Sequence, residues 1–273
     1  MIRTVRPLQD TKEKISMSKI RKAFENKKAF IPFVTCGDPD IDTTKKIIKE
    51  LAAAGADLIE FGIPFSDPTA EGPVIQAANI RALSNGVTTD DIFAMVKEIR
   101  QEITDIPFVF MTYANVVYSY GIERFAQNAK EAGMDGIILP DVPFEEKEEF
   151  APFFRAVDMD FISLIAPTSD SRVEMIAKAA EGFVYCVSSL GVTGVRSNIT
   201  TDVGGMIQLV RKANPDIPCA VGFGISTPEQ AAKMAKDSDG VIVGSAIVKQ
   251  IGQHGVDAAD VVAEYVRSMK AAM

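Results

Sequence analysis

Histidine occurs once in this sequence, as His254 in Gly252-Gln253-His254-Gly255 near the C-terminus. The surrounding pattern predicts a loop between helices. A lone histidine so placed leaves a Ser-His-Asp triad or a histidine-based metal site without its parts, so no metal is expected. Cysteine is nearly as scarce: Cys36, Cys186 and Cys219, with no Cys-x-x-Cys spacing. An odd, sparse set reads as reduced thiols acting as small apolar fillers, in an intracellular, cytoplasmic protein. No apolar run is long enough to span a membrane. The charged N-terminus lacks the apolar segment of a secretory signal, so none is expected. Dense Lys/Arg clusters are also missing. The net charge is −8, and only an N-terminal stretch is mildly basic. That argues against nucleic acid as a partner while leaving room for a local pocket that takes a small anion. Any chemistry falls to carboxylates, hydroxyls, backbone amides or lysines.

What is present is apolar material in a regular order. Hydrophobic residues make up 47% of 273, enough for a sizeable core. Eight short β-rich runs recur, at 29–35, 58–61, 107–113, 136–139, 160–165, 183–187, 218–221 and 240–243. They lack clean alternation, as parallel strands buried on both faces do. Between them lie amphipathic stretches at 42–54, 89–101, 122–132, 143–157, 171–180, 203–213 and 228–236. Ala53-Ala54-Gly55-Ala56-Asp57 and Glu131-Ala132-Gly133-Met134-Asp135-Gly136 are the same helix-to-strand exit used twice, each with a glycine suited to ending a helix. Eight strand–helix units predict an α/β chain folded as a (β/α)8 TIM barrel, one domain over 1–273. Extra helices are expected near 16–26, capping the barrel bottom, and at 74–83 and 257–270; residues 1–14 form an N-terminal extension. The alternative is a doubly wound open sheet, but no Gly-x-Gly-x-x-Gly follows the first strand.

Glu60 stands at the end of the second run, in Leu58-Ile59-Glu60-Phe61-Gly62. An unpaired charge buried there is costly, so the carboxylate finds partners or shifts its pKa. That marks it for proton transfer; the alternative is a strand-end glutamate in a structural hydrogen-bond network. Barrel active sites occupy the C-terminal ends of strands and the loops that follow. The loop after this strand carries Asp67 and Glu71. Asp67 also reads as a turn residue before Pro68, and Glu71 as a solvated cap for the next helix. Gly222-Phe223-Gly224 follows the seventh run and Gly244-Ser245 the eighth, the two positions where barrels commonly bind phosphate on backbone amides and a helix end. The loop after the sixth run, Ser188-Ser189-Leu190-Gly191-Val192-Thr193-Gly194, is rich in glycine and hydroxyls. Gly194 is placed to add an amide to that cradle and Thr193 to bond a carboxylate of the second loop; the alternative is an ordinary flexible connection.

Seven motifs in order then identify a family. They are Pro32-Phe33-Val34-Thr35-Cys36-Gly37-Asp38-Pro39, the Glu60–Gly72 signature, Tyr113-Ala114-Asn115, Pro140-Asp141-Val142-Pro143, Gly191-Val192-Thr193-Gly194, Gly222-Phe223-Gly224-Ile225 and Gly244-Ser245-Ala246. Along essentially its whole length the chain resembles the tryptophan synthase α subunit. The resemblance implies a lyase that cleaves indole-3-glycerol phosphate into indole and glyceraldehyde 3-phosphate, with no metal and no organic cofactor in this chain. It implies a partner, the pyridoxal-phosphate-dependent β subunit, in an α2β2 heterotetramer. The expected partner surface includes 64–73, 115–121 and 140–146.

By the same resemblance, Glu60 matches the general acid/base that protonates indole C3, and Glu71 the second carboxylate, at the indole N–H. Tyr185 matches a tyrosine that orients the substrate and Glu60. Thr193 matches the loop threonine tied to the second carboxylate. Phe33, Met111, Tyr113 and Ile138 match the indole-holding positions; Gly194, Phe223, Gly224, Gly244 and Ser245 match the phosphate site. Two positions depart from the family's usual pattern: the second carboxylate is most often aspartate, and Pro140 stands where many members have alanine. Two other readings remain at this point, a stand-alone lyase active without a partner and a non-catalytic module that regulates one. Two carboxylates argue against the second, since binding alone needs neither.

Overall fold

The structure is a computed structural model describing residues 18–188, 202–222 and 224–273. Its strands are β1 (Ala29–Thr35), β2 (Ile59–Gly62), β3 (Phe108–Met111), β4 (Gly136–Ile138), β5 (Asp160–Phe161), β6 (Ser163–Ile165), β7 (Val184–Val187), β8 (Cys219–Gly222) and β9 (Gly240–Val243). All pair in parallel, in the order β5-β4-β3-β2-β1-β9-β8-β7-β6. The two ends of that order are consecutive in sequence, separated only by Ile162, whose N–H donates to the Ile137 carbonyl at 2.9 Å. The ring therefore closes through 160–165. The eight expected runs are all present; the fifth is split where the chain passes from β4 to β7.

Helices form the outer layer: α1 (Lys19–Lys22), α2 (Ile41–Ala53), α3 (Pro73–Ser84), α4 (Thr89–Arg100), α5 (Ala114–Tyr120), α6 (Ile122–Ala132), α7 (Ala151–Arg155), α8 (Asp170–Lys178), α9 (Val203–Ala213), α10 (Pro228–Asp237), α11 (Ser245–His254) and α12 (Ala258–Ala271). Their starts follow from the sequence. Asp40 accepts the Thr43 N–H at 2.7 Å, and Thr88 with Asp91 forms a reciprocal capping box. Gly55 and Gly133 take positive φ, +98° and +102°, at the two matching helix exits.

Three expectations change. The stretch 143–157 is a 3-10 helix (Phe144–Glu149) followed by the short α7. Pro152 has no N–H to continue an α-helical ladder, so the turns before it tighten and the helix restarts. Helix α5, Ala-Asn-Val-Val-Tyr-Ser-Tyr, was not expected, because β-branched and aromatic residues read as strand. His254 is not a loop residue; it closes α11.

Strand parity sorts the side chains. Ile31, Leu58, Val109, Ile138, Ile162, Phe183, Ala220 and Ile242 fill the barrel interior, while their strand neighbours pack outward under the helices. Ile20 and Phe24 join the interior cluster from the N-terminal side, with Phe24 5.5 Å from Phe183 between ring centroids. The expected cap at the barrel bottom is thus a plug of two buried side chains. Cys36, Cys186 and Cys219 are free and buried, as fillers. Among the described residues, no helix is long and apolar enough to cross a membrane.

A repeated device fixes the strand starts. The carboxylates of Asp57, Asp135, Glu181 and Asp239 accept the backbone N–H of Phe30, Phe108, Phe161 and Cys219, each on the preceding strand. Each is also paired with a cation: Lys27, Arg100, Arg155 and Arg211 respectively. Arg100 is the most enclosed. It meets Asp135 at 2.6 Å, the Gly133 carbonyl at 2.7 Å and the Phe108 ring at 3.6 Å. Asp135→Ala strands this guanidinium and orphans the Phe108 N–H. The expected cost is about 3 kcal/mol, read as a lower urea midpoint at unchanged slope.

Candidate active site

The C-terminal mouth of the barrel opens into a pocket of about 670 Å³, counted out to the solvent at its mouth. Its wall brings together Phe33, Glu60, Glu71, Met111, Tyr113, Tyr185, Gly224, Gly244 and Ser245, all expected from sequence. Ile138 shares the barrel interior but lies in the packed cluster with Val109 and Ile162, not on the pocket wall. Thr193, Gly194 and Phe223 lie outside the described residues. Asp67 is exposed and does not line the pocket; its carboxylate accepts the Ser66 hydroxyl at 2.5 Å, as a turn residue does.

Glu60 projects inward from β2, in register with Phe33 on β1 and Val109 on β3. It is fully buried, and among the described residues neither carboxylate oxygen has a hydrogen-bond partner. Burial therefore acts unopposed and pushes its pKa up to about 8, which keeps it protonated at neutral pH. Among the described residues, no hydrogen-bond network of the kind the structural alternative for Glu60 needs is formed. Tyr185, across the barrel on β7, is buried; burial first and then the Glu60 charge raise its pKa well above the usual tyrosine range. Gly222 on β8 makes room for it, since a Cβ there would fall on the Tyr185 hydroxyl.

Glu71 is held differently. Gly72, not Glu71, is the N-cap of α3. The Glu71 carboxylate accepts the Asn79 amide at 2.7 Å, with the Tyr113 hydroxyl nearby. Burial raises its pKa to about 6, and these two donors pull against the rise. At neutral pH the pocket thus holds one neutral and one mostly ionised carboxyl group, a separation of acid and base roles set by environment.

The far end of the pocket is built for an anion. Helix α11 begins at Gly244 with no side-chain cap, and Gly224, Gly244 and Ser245 line the cavity there. Its first-turn amides and dipole face the space. The neighbouring α10 is closed by contrast: Gln230 accepts the Ser226 N–H at 2.8 Å and forms a capping box with Thr227. Between the two ends, Phe33, Ile75, Met111, Leu164 and Ile242 give an apolar wall suited to a flat ring.

Leu164, Ile242, Ile75, Ala70, Ile225 and Pro140 line the pocket without having been singled out as site residues in the sequence. Strand parity was the available signal for two of them: Leu164 is two residues past the inward Ile162, and Ile242 two before Gly244. Asn79 was also missed, although it sits on the helix that starts directly after Glu71.

A closed parallel barrel with this mouth defines an acid–base enzyme whose pocket takes an apolar ring at one end and an anion at the other. The chain belongs to the tryptophan synthase alpha chain family, whose family model matches residues 19–273. It is 43% identical over 257 residues to the tryptophan synthase alpha chain of Lacticaseibacillus casei, covering 94% of this chain and 96% of that one. It is 48% identical over 248 residues to that of Caldanaerobacter subterraneus subsp. tengcongensis, covering 90% and 94%. Among solved structures, the tryptophan synthase alpha chain of Legionella pneumophila subsp. pneumophila superposes with a TM-score of 0.85 at 36% identity, over 94% of this chain and 97% of that one. The tryptophan synthase a2b2 complex of Pyrococcus furiosus contains a chain with a TM-score of 0.80 at 37% identity, over 88% and 97%.

Proposed function

We infer that this chain cleaves indole-3-glycerol phosphate to indole and glyceraldehyde 3-phosphate, as the α subunit of tryptophan synthase. The observation that carries this reading is Glu60: a fully buried, neutral acid on the wall of a pocket that also holds an ionised carboxylate. The Glu60 carboxyl gives its proton to indole C3, and the ring becomes a cation with its N–H directed at Glu71. The bond from C3 to the side chain then breaks, and its electrons restore the aromatic ring. The hydroxyl on the carbon losing that bond becomes the aldehyde oxygen, and its proton passes to the Glu60 carboxylate, restoring the acid. One group serves as acid and then as base, and the second stabilises the charge between.

Phe33, Met111 and Tyr113 hold the ring, and Tyr185 orients Glu60 and substrate. The phosphate sits on the amides at Gly224, Gly244 and Ser245. Thr193, Gly194 and Phe223 complete the mouth in this reading, and Ile138 supports the indole wall from below. The chemistry needs no cofactor in this chain; pyridoxal phosphate belongs to the β partner, with which the chain forms an α2β2 assembly. The partner face is 64–73, 115–121 and 140–146. The chain works as one barrel domain, in the cytoplasm, consistent with three free thiols.

The test is indole release from indole-3-glycerol phosphate by the isolated chain, repeated with β subunit. Activity that rises sharply on adding β subunit is expected. Full activity of the chain alone supports a stand-alone lyase, and no activity in either arm contradicts the reading.

A further inference from the structure

We propose that Asn79 and Tyr113 are positioning residues that hold Glu71 from two different elements, Asn79 at its carboxylate and Tyr113 through the backbone just before it. The proposal rests on the role just given to Glu71.

Glu71 lies in a loop, yet its carbonyl and its carboxylate are both tied down. The Gln76 amide donates to its backbone carbonyl at 2.7 Å. The Asn79 amide donates to one carboxylate oxygen at 2.7 Å, and the nearby Tyr113 hydroxyl also favours the ionised form. That hydroxyl accepts the Ala70 N–H at 3.1 Å, so the tyrosine ties down the backbone just before Glu71. Asn79 is 4% exposed, which leaves its amide little freedom to point elsewhere. The helix carrying it is anchored. Arg81, two residues on, grips the buried Asp38 carboxylate with two hydrogen bonds of 2.7 and 2.8 Å.

Charge does not do this job. No Arg, Lys or His lines the pocket among the described residues. The titratable groups facing Glu71 are Glu60 from β2, Tyr113 from the end of β3 and Tyr185 from β7, with Asp141 behind Tyr113. None is a cation. A half-buried carboxylate with no counter-ion stays ionised only through neutral donors; Asn79 bonds it directly and the Tyr113 hydroxyl lies beside it.

The test is the titration of the Glu71 carboxyl carbon, followed by NMR in 13C-glutamate-labelled protein and assigned by its loss in Glu71→Gln. In Asn79→Ala the proton affinity of Glu71 is expected to rise about tenfold. Tyr113→Phe moves it in the same direction, and serves if Asn79→Ala does not fold. The acid limb of kcat/KM moves with it, so activity lost at mildly acidic pH returns as pH rises. A merely structural role lowers activity without moving that limb. An unchanged Glu71 titration in a folded variant overturns the clamp. A raised titration with an unmoved acid limb leaves the clamp standing and instead contradicts the catalytic role of Glu71.

Discussion

Glu60→Gln is expected to lower kcat for indole release by about 10⁴-fold, the upper range for loss of a general acid or base, because one group here fills both roles. Glutamine keeps the shape and the neutral charge that Glu60 carries at neutral pH, but it has no transferable proton. The phosphate end of the pocket lies on other elements, so the Kd for glycerol phosphate should change by less than about threefold. The chain contains no tryptophan, so the fluorescence of an indole-bearing ligand reports its binding directly. Near-normal turnover in Glu60→Gln would remove Glu60 from the chemistry.

The same variant carries a stability signature. The Glu60 pKa is about 8 in the folded chain, against an ordinary value of 4.5. Between those values the unfolded chain has released a proton that the native protein still holds, so native stability falls as pH rises through that window. Glutamine has no such linkage. Glu60→Gln should therefore gain on the wild type steadily from about pH 5 to about pH 8, by several kcal/mol in total. Removing the acid makes a better-folded and inactive protein, as expected where function keeps an unsatisfied carboxyl in an apolar wall.

Glu71→Gln is expected to cost about 10²–10³-fold in kcat, comparable with loss of one preorganised group facing transition-state charge. The ring cation then develops beside a neutral amide in a pocket lined, among the described residues, by no cation and no other anion except Glu60. KM rises less, because the ring N–H can still donate to the glutamine oxygen in the ground state. A kcat loss well in excess of the KM rise separates charge stabilisation from simple substrate binding. A raised KM with kcat unchanged would assign Glu71 to binding alone.

Much of this was legible in the sequence because it rests on local pattern. Eight apolar runs, helix exits such as Gly55 and Gly133, and a carboxylate embedded in an apolar strand are all short-range signals. So are the glycines after β8 and β9, whose meaning depends only on barrel position. The illegible parts depend on convergence. The environment of Glu71 is set by Asn79 on the following helix and by Tyr113 beyond the next strand, and no spacing rule brings those three together. The closure of the ring at Ile162 is equally non-local, since one continuous run serves two neighbours at different heights. Pro152 was visible, but its effect on 143–157 depends on where the preceding helix begins. Helix α5 runs against its own residue preferences and is held by tertiary contact.

The central claim is that a neutral Glu60 and an ionised Glu71 work together, and the most direct measurement is the pH dependence of kcat/KM for indole release. Glu71 must be deprotonated, so activity should rise through about 6; Glu60 must be protonated, so it should fall through about 8. The account predicts a bell between those limbs, with the acid limb missing from Glu71→Gln. A wild-type profile that stays level through pH 8 and beyond contradicts it.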